Sequence, residues 1–394
     1  MAYYFLFSEK DTTIYSHPDR KDMNTGGDEI LEIVEEKATT GNTYYASRAL
    51  IQFKNTELKD VLENRLKDGN GDRVSEGNWS TNLQLFTTEN NKNLATDHII
   101  EVYPLSQSWN EGTQRYDANP PTTTTGSFQA ANGATWIYRT ESTSSAWVTS
   151  SFGTGATGSY TTQEGGGNWY TGSEFKSSQD FFAAGDDFDL NLDVTSIVQK
   201  FSASYYQSAT YPTGIPNRGF IIKKPTDTEE DNFGSGYLQY FSTNTHTIYP
   251  PKLTFKWDDS YYGVPGGSTV LNSGDIFLTL HNNKATFQRK SKQRFRLTTR
   301  KRYPDRTFTT SSNYLDIQYL PAASYYSLRD AETDEVVIPF DTSYTKLSAD
   351  SEGMYFDLYM EGLQPERYYK LMFRSDNNDG IQIFDEDYYF KVIR

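Results

Sequence analysis

The sequence predicts an all-β protein: a jelly-roll-like β-sandwich with one short helix, followed by a smaller immunoglobulin-like β-sandwich. Three observations predict it. The chain holds 30 Tyr and 24 Phe but only 5 Met, and aromatic side chains favour half-buried pleated surfaces. Runs rich in Ala, Leu and Glu, the material of helices, are scarce. Short apolar or alternating runs recur between turn residues, which is how strands look in sequence.

The elements follow in order. Residues 3–15 open with an apolar run and continue through Asp11-Thr12-Thr13-Ile14-Tyr15 as a first strand. Ile30, Glu32 and Val34 alternate, and Ala49 to Phe53 is a third strand. In 56–67, Leu58, Val61, Leu62 and Leu66 recur at helical spacing, Thr56 can cap the start, and Asp68-Gly69-Asn70-Gly71 stops the helix. Strands resume at Asn82–Thr87 and Ile99–Tyr103. Residues 106–187 then form a long stretch rich in Ser, Thr, Gly and aromatics, containing Trp109, Trp136, Trp147 and Trp169. Its tryptophans argue for ordered long loops, since disordered segments are aromatic-poor. Further strands are read at Phe188–Val198, Arg218–Lys223 and Pro250–Phe255.

At 394 residues, two or three domains are expected. The turn-rich segment 258–274, with Val264-Pro265-Gly266-Gly267, has no period and reads as a linker. The first domain is then 1–257 and the second 275–394, with short strands at Phe295–Leu297, Leu315–Ile317, Val336–Ile338 and Tyr388–Val392. The second lacks the Cys-Trp-Cys pattern of antibody domains.

Charge and composition restrict function. The net charge is −15, so nucleic acid is not an expected partner. No Cys is present, which fits folding in a reducing cytoplasm. The apolar start, Tyr3-Tyr4-Phe5-Leu6-Phe7, is too short for a signal peptide, and no run approaches the 18 apolar residues of a membrane span.

Candidate sites are few. Gly153, Gly155 and Gly158 spell G-x-G-x-x-G, but no strand precedes and no helix follows, so no dinucleotide cofactor is expected. Asp68, Asn70 and Asp72 have the spacing of the first ligands of a calcium loop, yet Arg73 and Trp79 stand where Gly and Glu belong. A helix end followed by a polar turn explains the same letters. Asp187, Asp189, Asn191 and Asp193 alternate as a solvated strand face would. The four histidines are scattered and no nucleophile elbow is present, so no enzyme is expected.

Two further groups have two readings each. Trp109, Trp136, Trp147, Trp169 and Tyr170 either offer a stacking platform for glycan or pin the long loops as core. Lys290, Lys292, Arg294 and Arg296 fall on one face of a strand, either meeting acidic surface on a neighbouring subunit or protecting a solvated edge.

Four phrases in order, Ser47-Arg48-Ala49-Leu50-Ile51-Gln52-Phe53, Phe188 to Val198, Arg218-Gly219-Phe220-Ile221-Ile222-Lys223 and Pro250-Pro251-Lys252-Leu253-Thr254-Phe255, resemble the DNRLRE family of jelly-roll domains. That family is similar to carbohydrate-binding modules. Trp109-Asn110-Glu111-Gly112-Thr113 and Ala134-Thr135-Trp136-Ile137-Tyr138-Arg139 resemble its long-loop segments. Leu320 to Ser327, Ile338 to Asp341, Tyr344 to Ser348, Glu366 to Lys370 and Tyr389 to Arg394 resemble virion structural proteins of T4-like and marine tailed phages. The resemblance implies a non-enzymatic particle component of tail, baseplate, neck or head surface. Such a protein folds in the host cytoplasm and assembles with other virion proteins and copies of itself. A glycan-binding module for host attachment is the alternative implied, and a polysaccharide-degrading enzyme the third.

Overall fold

The structure is a computed structural model. It describes all residues except 1, 38–43, 89–96, 117–131, 141–144, 148–155, 158–164, 183–187, 206–213, 227–228, 230–235 and 305–315. Gly153, Gly155, Gly158, Asp187 and Leu315 lie outside the described residues. The protein is all-β, as the aromatic-rich alternating runs predict.

The chain divides into two compact units. The larger comprises Leu6–Leu62 and Thr81–Leu253, the smaller Met1–Phe5, Glu63–Ser80 and Thr254–Arg394.

The larger unit is built on β1 (Ala2–Tyr15), β2 (Ile30–Lys37), β3 (Tyr44–Phe53), β4 (Trp79–Leu85), β5 (His98–Pro104), β6 (Ala156–Thr157), β7 (Trp169–Tyr170), β8 (Ser177–Phe181), β9 (Leu190–Asp193), β10 (Phe220–Lys223), β11 (Gly236–Phe241) and β12 (Lys252–Trp257). β1, β4 and β12 cross the division along the chain. The strand order is β8-β5-β10-β3-β1-β12-β4-β9, with β2 on β3 and β11 on β2. Its two ends meet. Gln179 in β8 donates to the Asp189 carbonyl at 3.0 Å and accepts the Asn191 N–H at 2.8 Å. The sheet is thereby curled in the jelly-roll-like manner expected.

The phrases Ser47–Phe53 and Arg218–Lys223 are partners: Phe220, Ile221 and Ile222 face Ile51, Leu50 and Ala49 in an antiparallel ladder. The glycine before them is required. Gly219 has φ +90°, and a Cβ there would lie 2.2 Å from the Ile51 carbonyl oxygen. We expect Gly219→Ala to destabilise this unit by at least about 2 kcal/mol, measurable as a lowered denaturant midpoint with an unchanged slope.

The first helix is shorter than its pattern. α1 runs Asn55–Asp60, and a π turn continues over Val61–Arg65. Leu58, Val61, Leu62 and Leu66 are all buried, as their spacing predicts. Lys54 rather than Thr56 occupies the N-cap.

The strand reading of Phe188–Val198 holds only to Asp193. α2 follows at Thr195–Tyr205. Asp193 Oδ1 accepts the Thr195 N–H at 2.9 Å, and the Val198 N–H donates to the Val194 carbonyl at 3.0 Å. Ile197, Val198 and Phe201 are buried at helical spacing. The β-branched run across Val194–Val198 mimics strand composition, and burial of one helix face overrides that propensity.

The smaller unit is a two-sheet sandwich. Its further strands are β13 (Thr269–Val270), β14 (Ile276–His281), β15 (Thr286–Gln288), β16 (Lys292–Lys301), β17 (Gln318–Tyr319), β18 (Ser324–Asp330), β19 (Val336–Ile338), β20 (Ser348–Asp350), β21 (Gly353–Tyr359), β22 (Tyr368–Asn377) and β23 (Gly380–Ile393). One sheet is β13-β17-β16-β21-β20 with β14 on β16, the other β15-β23-β22-β18-β19. Aromatic rings fill the space between. Phe356 of the first sheet stacks on Tyr326 of the second at 4.5 Å and meets Phe373 at 5.8 Å. Phe295 lies 5.8 Å from Phe390. Such pairs add directional contact to the burial of large apolar area.

Candidate functional site

β3 places Arg48 on the inward side of the larger unit, where its exposure is 0%. An isolated charge there would be very costly, and the fold supplies a full set of partners. Glu229 accepts from Arg48 Nε at 2.9 Å and from Nη2 at 2.7 Å, a bidentate pair. Nη1 donates to the Gly166 carbonyl. Gly166 has φ +83°, and a Cβ there would lie 2.5 Å from Nη1, so glycine permits this approach. The guanidinium sits 4.7 Å from the Trp136 ring centroid and 5.1 Å from that of Trp169.

Lys223, at the end of β10, reaches the same Glu229 carboxylate at 3.3 Å. Burial pushes its ammonium down to about 8, with Glu229 opposing the shift. Burial alone would raise Glu229, but Arg48 and Lys223 outweigh it and hold the carboxyl below its usual range. Beside them Lys224 pairs with Glu35 of β2 at 3.0 Å, and Lys176 pairs with Glu101 of β5. Arg48, Glu229 and Lys223 are sealed in protein, so they act as a charged rivet between strands and loops.

The tryptophans belong to that rivet. Trp109, Trp136, Trp147 and Trp169 are between 1% and 4% exposed and share one core cluster with Ile14, Leu50 and Ile221. Trp109 Nε1 donates to the Arg218 carbonyl and Trp147 Nε1 to that of Thr135, both at 3.0 Å. Tyr170 is partly buried with its ring 5.4 Å from Phe175. These residues therefore do not present a stacking platform. They pin the long loops to the sheet, since large aromatic area gains most when buried.

Asp68, Asn70 and Asp72 form a polar turn. Asp68 Oδ1 accepts the Asn70 and Asp72 N–H groups, both at 2.9 Å, and the Asp68 N–H donates to the Asp72 carbonyl at 2.8 Å. Among the described residues no cluster of three His, Cys, Asp or Glu is arranged to hold a metal ion.

The basic strand is partnered within its own unit. Lys292 pairs with Asp357 at 3.0 Å, and Arg294 binds the same carboxylate through Nε at 2.8 Å and Nη2 at 3.0 Å. Arg296 binds Asp350 bidentately at 2.9 Å and Glu352 at 2.8 Å. Lys290 lies in the turn before β16, off the strand face. The repulsion that would call for a neighbouring subunit is thus relieved by β20, β21 and the turn between them. Sequence reasoning missed this because register, not spacing along the chain, sets Arg294 opposite Asp357.

Two surface features remain. A small depression is lined by Glu32 and Glu36 of β2, Tyr45 of β3, Tyr237 of β11, and His17 and Arg20 of the loop after β1. Glu32 accepts from Tyr15 Oη at 2.7 Å and from Gln239 Nε2 at 2.8 Å. Arg20 Nη2 sits 2.9 Å from one Glu36 oxygen and 3.1 Å from the other.

The second feature is β23 in the smaller unit. It pairs with β22 along one edge, whereas on its other edge, among the described residues, β15 pairs with residues 391–393 and Asn283 Nδ2 donates to the Tyr389 carbonyl at 2.9 Å, and no further strand pairs there. Ile381 is 64% and Ile383 55% exposed beside this open edge. Two extra residues between the Leu371 and Phe373 pairings bulge the strand at Asp385–Asp387.

Among the described residues no helix is long and apolar enough to cross a membrane. Comparison with family models and with curated proteins yields no match.

Proposed function

We propose that this protein is a non-enzymatic structural component of a tailed-phage virion that works by protein–protein assembly. The motif order in both halves supports the virion reading. The observation that carries the assembly reading is the open edge of β23. An uncovered strand edge is a template for another strand, and exposed Ile381 and Ile383 give it apolar contacts to bury.

The occupant is an extended segment of another virion protein, with Lys or Arg opposite the bulge. Asp385, Glu386 and Asp387 carry three negative charges against one, Lys370, at 2.7 Å from Asp385 and 3.4 Å from Asp387. A second copy paired antiparallel about the bulge itself would bring two such acidic trios together, and like charges directly opposite destabilise a ladder.

Replacing both isoleucines with lysine tests the reading. Both side chains are exposed, so the isolated variant keeps a thermal midpoint close to that of the parent chain. Its incorporation into particles, measured as copies per purified virion, falls at least about tenfold, as one lost apolar contact pair predicts. Normal incorporation removes β23 as the assembly edge.

A further inference from the structure

We propose that Lys224 and Glu35 condense into an isopeptide bond, with His98 as the proton carrier. The bond is a covalent cross-link inside the larger unit. It depends neither on the β23 edge nor on the virion reading.

The reacting groups are in contact and held there. Lys224 Nζ lies 3.0 Å from Glu35 Oε2, and the two side chains are 5% and 2% exposed. Glu35 pairs with Ala46 of β3 on one side and with Gly236 of β11 on the other. Lys224 directly follows β10, which is gripped between β3 and β5. Its carbonyl accepts from the Lys223 ammonium. Reactants fixed in this way behave as if at very high concentration.

Burial favours the product. Two ions kept from water forgo their hydration, whereas an amide carries no charge. Condensation therefore removes both buried charges at once. Burial also lowers the Lys224 ammonium, against the opposing pull of Glu35 and Glu229, which frees the amine as a nucleophile.

His98 supplies an independent observation. It is 5% exposed, and its buried Nε2 has no hydrogen-bond partner among the described residues. An orphaned buried nitrogen calls for a role. Burial lowers the imidazole to about 4, the charge of nearby Lys224 adds to that shift, and Asp97 opposes it. The ring is thus neutral at pH 7 and able to accept a proton beside the amine.

The step balances without oxidant or cofactor. The ammonium passes one proton to the Glu35 carboxylate across their hydrogen bond, leaving an amine and a neutral acid. Nζ attacks Cδ and forms the N–C bond. His98 Nε2 takes a proton from that nitrogen and returns it to a hydroxyl on Cδ. The C–O bond breaks and one water leaves. The new bond joins residues 189 apart in sequence and ties β2 to the end of β10, which otherwise meet β3 along separate stretches.

The test is mass spectrometry of the full chain, purified and then unfolded in denaturant. The parent chain is lighter than its sequence by one water, and its tryptic digest contains a branched peptide joining Lys224 to Glu35. Lys224→Arg keeps a cation opposite Glu35 but cannot form the amide, so it shows the full sequence mass. His98→Gln slows the loss of water by at least about tenfold. The first readout needs no variant, so a variant that fails to fold leaves it intact. A parent chain of full sequence mass overturns the proposal, as does a lost water that maps elsewhere or persists in Lys224→Arg. An unchanged rate in folded His98→Gln overturns the role given to His98.

Discussion

Replacing Arg48 with alanine is expected to destabilise the larger unit by about 3–5 kcal/mol, the usual cost of removing one partner from a buried ion pair. The loss has identifiable parts. Among the described residues Glu229 then keeps one direct ion-pair partner, Lys223 at 3.3 Å. The Gly166 carbonyl loses its donor, and the Trp136 and Trp169 rings lose the cation between them. For a unit of this size such a loss lowers the thermal midpoint by on the order of 10 °C. The informative comparison is the triple variant Arg48→Met, Glu229→Leu, Lys223→Met. It removes the three charges together, so no charge is left unpaired although the Gly166 carbonyl still loses its donor, and a stability within about 2 kcal/mol of the parent chain is expected. Calorimetry on both variants separates the two cases. Equal losses would mean that the pairing itself, not avoidance of an orphaned charge, holds the loops.

The second large effect is on pH dependence. Asp11 in β1 is buried, and desolvation pushes its carboxyl up to about 7, although the N–H and hydroxyl of Thr243 donate to Oδ2 at 2.6 and 2.8 Å. Nearby Glu111 adds to the upward shift. Because the folded value lies above the unfolded one, the folded state binds the extra proton between about pH 4 and 7. The stability this group contributes is complete below pH 4 and is lost as pH rises through 7. The full span is roughly 4 kcal/mol.

Asp11→Asn keeps an acceptor for Thr243 and replaces the protonated oxygen with an amide that never ionises. The variant should match the parent chain at or below about pH 4 and exceed it increasingly above that, by a few kcal/mol at pH 8. His98 titrates in the opposite sense. Burial, with Lys224 adding to it, lowers His98 to about 4, so its contribution is complete above pH 6.5 and is lost on acidification toward pH 4. The variant-minus-parent difference in urea midpoint at each pH isolates Asp11. A constant difference from pH 5 to 8 would show that Asp11 is ionised throughout.

Much of the fold was legible in the sequence because local pattern and burial agree there. Ser47–Phe53 and Arg218–Lys223 read as strands from their apolar runs, and they are hydrogen-bonded neighbours. Leu58, Val61, Leu62 and Leu66 announced their helical turn. Thr195–Tyr205 was not legible as a helix, because Val194, Ile197 and Val198 carry strand-like composition and only tertiary burial decides between the two. The rivet was legible only in part. Arg48 stands visibly inside an apolar run, which signals a buried partner, but Glu229 lies 181 residues away and no local rule links them. The ion pairs of the basic strand were hidden for the same reason: its counter-charges come from β20 and β21 and the turn between them, and sequence distance hides cross-strand register. The depression at Tyr45 and Tyr237 draws on β2, β3, β11 and the loop after β1, so it exists only once the sheet is assembled.

The most direct test of the central claim is a cryo-electron microscopy map of purified phage particles, with mass spectrometry of the same preparation. The assembly account predicts this chain in stoichiometric copies, with a strand from a different protein, bearing Lys or Arg near Asp385–Asp387, laid along the open edge of β23. Particles that lack the chain, or a bound chain whose β23 edge faces only solvent, would contradict it.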